Sequence, residues 1–434
     1  MIFQAVLKQL VKTGDLSVTD WKGRITRYGD GTTPKVHIRF ATAATARKIA
    51  LDPDLYLGTE FTSGNFSVIE GSIYDFLALA LINAQGPGGG SSAKMHNATF
   101  FHRWLYKLRI AKRRMDQNNS AAKSRHNVHV HYDLSGKLYD LFLDSDRQYS
   151  CAYFEHEDAT LEQAQLAKKR HIAAKLNIKP GMRVLDIGCG WGGMGLYLAE
   201  ICGAEVTGAT LSEEQFAVAN QRAQERGLQD RVKFLLKDYR QIAERFDRIV
   251  SVGMFEHVGL NQYSTFFKSC AKLLKADGTA LLHSINRSDG PGATSAWLRK
   301  HIFPGGYIPA LSEVIPHMEK QGLYITDIEI LRLHYAKTLR LWLNNFMGNR
   351  DKVKALYDER FCRMWEYYLA GSEVSFRHIG MNNFQIQFGH DQHYLPITRD
   401  YMATTENALR LIEAKSAHYK DITKASGKIA AMRN

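Results

Sequence analysis

The stretch VLDIGCGWGG (184–193) decides the fold. Val184, Leu185 and Ile187 form a short apolar run with strand character that breaks into a glycine-crowded turn, and MGLYLAEIC (194–202) then carries a helical pattern. Outward from this unit the alternation repeats between about 165 and 285. AEVTGATLS (204–212) reads as a second strand, EEQFAVANQRAQERG (213–227) as a second helix and VKFLLKD (232–238) as a third strand. FDRIVSVGM (246–254), QYSTFFKSCAKLL (262–274) and GTALLHSI (278–285) add a fourth strand, a helix and a fifth strand. Strands and helices in this order predict an α/β fold with a parallel, doubly wound sheet.

Gly188, Gly190 and Gly193 satisfy the GxGxxG spacing of a dinucleotide site. Such a site wants Asp or Glu about twenty residues on, for the ribose hydroxyls. Here ATLS (209–212) stands at that point, without a carboxylate. VLDIGCGWGG, with Asp186 ahead of the turn, instead resembles the first motif of class I S-adenosylmethionine (SAM) methyltransferases, which are Rossmann-like. Gly188 and Gly190 let the backbone approach a ligand closely, and an acid nearby can meet the ligand's ammonium group.

The bulk numbers frame this unit. A chain of 434 residues usually holds two domains, and 45% apolar with 23% charged residues describes a globular protein. The opening MIFQAVLKQLVKTGD is interrupted by Lys8 and Lys12, so no export signal is read. IYDFLALALINA (73–84) is too short to span a bilayer and carries Asp75. A cytoplasmic location is expected. Five scattered cysteines without a CxxC pair argue against a disulfide framework or a structural zinc site.

The net charge of +13 invites an anionic partner, either nucleic acid or a membrane surface. Nine Lys or Arg and one acid, Asp116, lie between 94 and 126, directly after the flexible composition of QGPGGGSSAK (85–94). Within FFHRWLYKLRIAKRRM (100–115), Phe100, Trp104 and Leu108 share one helical stripe while most of the cations lie elsewhere. Such a helix can rest in a membrane interface, each cation near an anionic surface contributing roughly 1 kcal/mol. Equally, it can pack on the protein's own core with a solvated basic face. No nucleic-acid motif is recognised, and nucleic acid is not an expected partner. The predicted divisions are a small α+β amino-terminal domain (1–84), a linker with the basic segment (85–128), a catalytic domain (129–390) and a helical extension (391–434).

Ligands of open parallel sheets bind beyond the carboxyl ends of the strands. Glu256 and His257 follow the fourth strand, and His283 ends the fifth. Periodicity does not say which of Glu256 and His257 points inward. Several motifs then occur in order: HYDLS (131–135), YSCAYF (149–154), TLSEEQ (210–215), GMFEHVG (253–259), LLHSI (281–285), IFPGGYIP (302–309) and HYAKTLRLW (334–342). Together with the glycine turn they resemble cyclopropane-fatty-acyl-phospholipid synthases and the related mycolic acid cyclopropane synthases over about 130–389. Residues 1–84 resemble the smaller amino-terminal domain of the phospholipid-acting members.

The resemblance implies methylene transfer from SAM to the cis double bond of an acyl chain in a membrane phospholipid. It also implies a homodimer on the inner face of an anionic membrane, with enzyme-bound bicarbonate as the base. The implied bicarbonate holders are Cys151 (largely through its backbone), Glu256, His283, the Ile285 backbone and Tyr335. Glu256 is taken as the working member of the opening pair and His257 as structural. Tyr132, Tyr153 and Phe154 are candidates to face the cationic intermediate, at about 0.5–2 kcal/mol each. The implied SAM contacts are Tyr149, Ser150, Asp186, Gly188, Cys189, Gly190, Trp191, Gly192, Thr210, Leu211, Gln215, Tyr239 and Arg240. A same-fold methyltransferase that leaves a methyl or methylene branch is the alternative.

Two features depart from the family pattern. YLAGSEVSFR (368–377) has Ser372 where many members have a cysteine, and DYR (238–240) replaces the commoner Trp–Glu pair. About forty-four residues follow FQIQFGH (384–390); their helical pattern suits a cover over the active site, a partner contact or a cap. The histidines of HNVHVH (126–131) match no strong metal-ligand spacing, and no metal is expected.

Overall fold

The computed structural model describes residues 7–85, 107–111, 117 and 135–422. The basic stripe around Trp104, Tyr132 and the histidine cluster at 126–131 lie outside the described residues. The chain divides into two compact units, each assembled from separated stretches.

The first unit comprises Met1–Gln117, Arg287–Ala310 and Leu339–Met381. Its four strands are β1 (Asp15–Thr19), β2 (Ile25–Gly29), β3 (Lys35–Phe40) and β4 (Phe66–Glu70), in the order β2-β1-β3-β4. β1 pairs parallel with β3, and the other two pairings are antiparallel. Val36, Ile38 and Phe40 alternate into the core, where they bury with Phe66, Phe76 and Leu79. Three helices accompany the sheet. Thr42 caps α1 (Ala43–Leu51) by accepting from the Thr45 amide, Pro53 opens α2 (Pro53–Thr62), and α3 (Ile73–Gln85) is the greasy run noted above.

Residues 287–310 and 339–381, expected inside one catalytic stretch 129–390, instead cluster with the amino-terminal residues. Helix Glu359–His378 packs on α2 and α3, and helix Ala296–His301 packs on α2. Gly58 makes the approach possible: a Cβ there would lie 2.5 Å from Tyr367 and 2.6 Å from Trp297. The Arg340 guanidinium lies 4.0 Å over the Tyr74 ring. Arg109, one cation of the basic segment, is held by Asp52 at 2.6 Å and Asp54 at 2.5 Å. Ser372 is half-buried on helix Glu359–His378.

The second unit comprises Asn118–Asn286, Leu311–Thr338 and Asn382–Asn434. It is built on β5 (Arg183–Ile187), β6 (Glu205–Thr210), β7 (Val232–Leu236), β8 (Phe246–Val252), β9 (Leu274–Arg287), β10 (Tyr324–Ile330) and β11 (Met381–Gly389). The strand order is β10-β11-β9-β8-β5-β6-β7. β5 to β9 pair in parallel, whereas β10 and β11 are antiparallel to each other. This is the expected Rossmann-like α/β sheet, extended by two strands. The order turns back at β5, where β6 leaves on one side and β8 on the other, so the crevice above β5 and β8 is the switch point.

Its helices include α4 (Leu161–Lys175), α5 (Gly193–Glu200), α6 (Glu213–Glu225) and α7 (Asp400–Glu413). Thr160 and Gln163 form a reciprocal capping box at the start of α4. Every residue of α4 except Glu162 is buried, including Lys168, Lys169, Arg170, His171 and Lys175. Buried cations require partners, and α7 supplies part of them, packing along α4. Among the described residues no helix is long and apolar enough to cross a membrane.

Candidate active site

The glycine turn shapes a cavity at the switch point. Gly188 has φ +81° and a Cβ there would meet Met254 at 2.7 Å, so only glycine closes this turn. Gly192 does not line the cavity. It caps α5 at φ +85°, pressed against Phe234 and Ala219. The other SAM-contact candidates all line it. Tyr149 and Ser150 come from the segment before α4; Asp186, Gly188, Cys189, Gly190 and Trp191 come from the end of β5 and its turn. Thr210, Leu211 and Gln215 enter from the β6–α6 junction, where the Thr210 hydroxyl donates to Gln215 Oε1 at 3.0 Å. Tyr239 and Arg240 complete the rim, and Arg240 is engaged by Asp238 at 2.6 Å.

Asp186 is buried, its Oδ2 makes no hydrogen bond among the described residues, and burial pushes its carboxyl up to about 7. A cationic ligand group would lower that value by supplying the missing charge. Behind the rim, the Lys168 ammonium donates to Ser150 Oγ at 2.8 Å and Gln148 Oε1 at 2.7 Å. Gln165 Nε2 donates to the Ser150 carbonyl at 3.0 Å, so α4 pins the loop that carries Tyr149 and Ser150. Sequence reasoning did not nominate Gln148, Asp238 or Lys168. An acid directly after β7 was the available signal for Asp238; nothing local marks a lysine whose partners lie eighteen and twenty residues away.

Glu256 and His257 part company. His257 lines the cavity, and burial pushes its imidazole down to about 4, so it stands there neutral. Glu256 turns to β9 and accepts the Ile285 amide on Oε1 at 2.6 Å. Burial outweighs that bond and pushes the carboxyl up to about 6. His283, paired in register with Val252, is pushed by burial down to about 3. The side-chain nitrogen of Gln385 lies 3.2 Å from His283 Nδ1. As a donor it places the imidazole proton on Nε2. His283 Nε2 and Glu256 Oε2 are both buried and make no hydrogen bond among the described residues.

Cys151 is fully buried, and burial holds its thiol far above the ordinary range, which keeps it protonated. The Ala152 amide donates to Thr338 Oγ1 at 3.1 Å and the Phe154 amide to His334 Nδ1 at 3.0 Å. These bonds lace the Cys151 segment to the helical turn that carries the buried Tyr335. Glu256 is thus bonded to Ile285, two residues beyond His283, and the segment following Cys151 to residues flanking Tyr335. The Lys168 charge acts on both Cys151 and His283.

Two of the aromatic candidates already have ring partners. Tyr153 stacks on His171 at 4.1 Å and on His334 at 5.1 Å, and Phe154 already carries the Lys337 ammonium 4.4 Å over its ring.

The family model described as mycolic acid cyclopropane synthetase matches residues 119–386. The chain belongs to this family. A second model, described as a domain of unknown function (DUF7884), matches residues 2–87. The cyclopropane-fatty-acyl-phospholipid synthase of Escherichia coli K12 is 40% identical over 287 residues, 66% of this chain and 74% of that protein. A probable fatty acid methyltransferase of Pseudomonas putida is 39% identical over 287 residues, 63% of this chain and 73% of that protein. The solved cyclopropane synthase MmaA2 of Mycobacterium tuberculosis is 35% identical with a TM-score of 0.58, covering 61% of this chain and 97% of its own. A mycolic acid cyclopropane synthase solved with S-adenosylhomocysteine (SAH) and CTAB gives 36% and 0.58. This member of the family is a SAM-dependent methyltransferase.

Proposed function

We propose that the protein transfers a methylene group from SAM to the cis double bond of an acyl chain in a membrane phospholipid, forming a cyclopropane ring. The observation that carries this reading is the pair of buried, unbonded atoms Glu256 Oε2 and His283 Nε2 at the carboxyl edge of β8 and β9. The alkene attacks the sulfonium methyl carbon, the S–CH3 bond breaks toward sulfur, and SAH is left with a protonated cyclopropane or carbocation. One proton must then leave the transferred carbon as the ring closes.

Bicarbonate bound between Cys151, Glu256, His283, Ile285 and Tyr335 would supply the base. The residues fit an anion of that kind. The neutral His283 offers an Nε2 proton, Tyr335 offers a phenol, and Glu256 has a carboxyl that holds or yields a proton near pH 6. The Ile285 amide already donates to Glu256, which orients the carboxyl and leaves its second oxygen free. Tyr149, Ser150, Asp186, the 188–192 turn, Thr210, Leu211, Gln215, Tyr239 and Arg240 are assigned to the SAM site, Gly192 through its cap. The reading includes homodimeric, peripheral association with the inner face of an anionic membrane, driven by the +13 charge.

The similarity to a probable fatty acid methyltransferase favours a second reading, in which the cation loses a different proton and a branched chain results. Incubation of the protein with SAM and vesicles of an unsaturated anionic phospholipid, followed by gas chromatography and mass spectrometry, separates the two. A gain of CH2 with the alkene lost supports ring formation, and a gain with the alkene retained supports branching. No gain while SAM still binds overturns both. Activity on vesicles should fall steeply with salt while SAM affinity holds.

A further inference from the structure

The family match ends at residue 386, yet the chain continues into α7, whose Glu406 and Glu413 reach the buried cations of α4. His171 is the member of that row that stacks on the segment following Cys151. Its Nδ1 lies 2.6 Å from Glu406 Oε1 and its Nε2 lies 2.7 Å from Glu329 Oε2. One face of the imidazole carries Tyr153, with centroids 4.1 Å apart and planes 9° from parallel. The Tyr153 ring passes the contact on to His334, whose Nδ1 takes the Phe154 amide and whose sequence neighbour is Tyr335. The Tyr153 amide also donates to the Ala164 carbonyl on α4. A continuous row of contacts thus runs from α7 to the segment following Cys151 and to His334 beside Tyr335.

We propose that Glu406 is a positioning residue: by clamping His171 against Glu329, it fixes the Tyr153 ring and so the 151–154 wall of the active site. Two carboxylates can bond both ring nitrogens favourably only when each carries a proton. The clamp is therefore complete with imidazolium and broken with imidazole, where one carboxylate faces a lone pair. The groups that set this balance are Glu329 and Glu406, Lys175 (2.5 Å from Glu329), Asp327 beside Lys175, and Arg410, Arg170 and Glu155 around Glu406 and Tyr153. The carboxylates outweigh burial and raise the imidazole above its ordinary value. The clamp therefore opens as pH rises, at a higher pH than a free imidazole would lose its proton.

The effect on turnover rests on the reaction proposed above; the effect on His171 does not. The test uses the full chain with Glu406→Gln and Glu406→Asp. Glu406→Gln should lower kcat on lipid vesicles about tenfold, leave the KM for SAM within twofold, and move the alkaline limb of kcat down by about one pH unit. Glu406→Asp, which keeps the charge, should restore the limb. Histidine NMR should show the His171 titration moving by the same amount without any turnover. Unchanged kcat and an unchanged limb in folded Glu406→Gln protein would overturn the proposal, as would an unmoved His171 resonance. If Glu406→Gln does not fold, Tyr153→Leu tests transmission: the His171 titration should persist while its limb vanishes from kcat. A limb that survives in Tyr153→Leu refutes the route through that ring. If the unaltered protein turns over no lipid, the reaction reading fails and the histidine titration still decides the clamp.

Discussion

Arg170 and Glu413 meet across 243 residues of chain, the guanidinium donating to the carboxylate at 2.8 Å through Nη2 and 3.1 Å through Nε. The carboxylate is fully buried and also accepts the Tyr197 hydroxyl at 2.7 Å. Arg170 spends its remaining nitrogen on Glu155 at 2.9 Å. The extension thereby packs α7 along α4 within the second unit.

Glu413→Gln leaves a buried guanidinium with half its compensation. Removing one partner of a buried pair costs about 3 kcal/mol or more, so the urea midpoint of the full chain should fall by that equivalent. A loss below roughly 0.5 kcal/mol, the range of exposed pairs, would show that water reaches the site.

Glu256→Gln keeps the shape of the side chain and the bond to the Ile285 amide but cannot exchange a proton. Turnover on vesicles should drop about 10^3-fold, while SAM affinity measured by calorimetry stays within twofold. Equal losses in binding and turnover would move Glu256 from proton handling to cofactor binding.

Asp186 gives a pH signature. Its folded value, about 7, lies above the ordinary 3.8, so the stability it contributes is full below about 3.8 and is lost as pH rises through 7. A SAM ammonium at this carboxyl requires the charged form. Binding at pH 6 should therefore release close to one proton per SAM, fading by pH 8. Calorimetry in two buffers of different ionisation heat reads this directly, and Asp186→Asn should abolish the release.

Gly192→Ala would place a methyl 2.8 Å from the Phe234 ring and 2.9 Å from the Ala219 Cβ, in a left-handed backbone. Overpacking and the backbone penalty together cost about 2 kcal/mol or more. Thermal unfolding should show the loss, and SAM affinity should weaken because the turn and α5 shift together.

The glycine turn and the five parallel strands were legible because their signals are local: a backbone that needs positive φ, and apolar runs of strand length. β10 and β11 were not. MNNFQIQFG buries Asn383, Gln385 and Gln387 as well as its aromatics, so its polar alternation gives no sign of a strand buried on both faces. The ring contacts of Tyr153 and Phe154 were not legible either, since His171, His334 and Lys337 are distant in sequence. The cations of AKKRH (167–171) pattern like a solvated face. Their partners are distant in sequence: Gln148 and Ser150 for Lys168, Asp146 for Lys169, and Glu413 and Glu406, more than 230 residues later, for Arg170 and His171.

The first unit closes only when its third stretch, ending at Met381, joins residues made long before. At roughly 5–20 residues per second, the ribosome takes on the order of ten to fifty seconds to travel from residue 117 to that point. During this interval α3 stands on the nascent chain without helix Glu359–His378 to cover it. A cut at residue 84, however well it matches the composition, would separate that helix from the partner it folds onto.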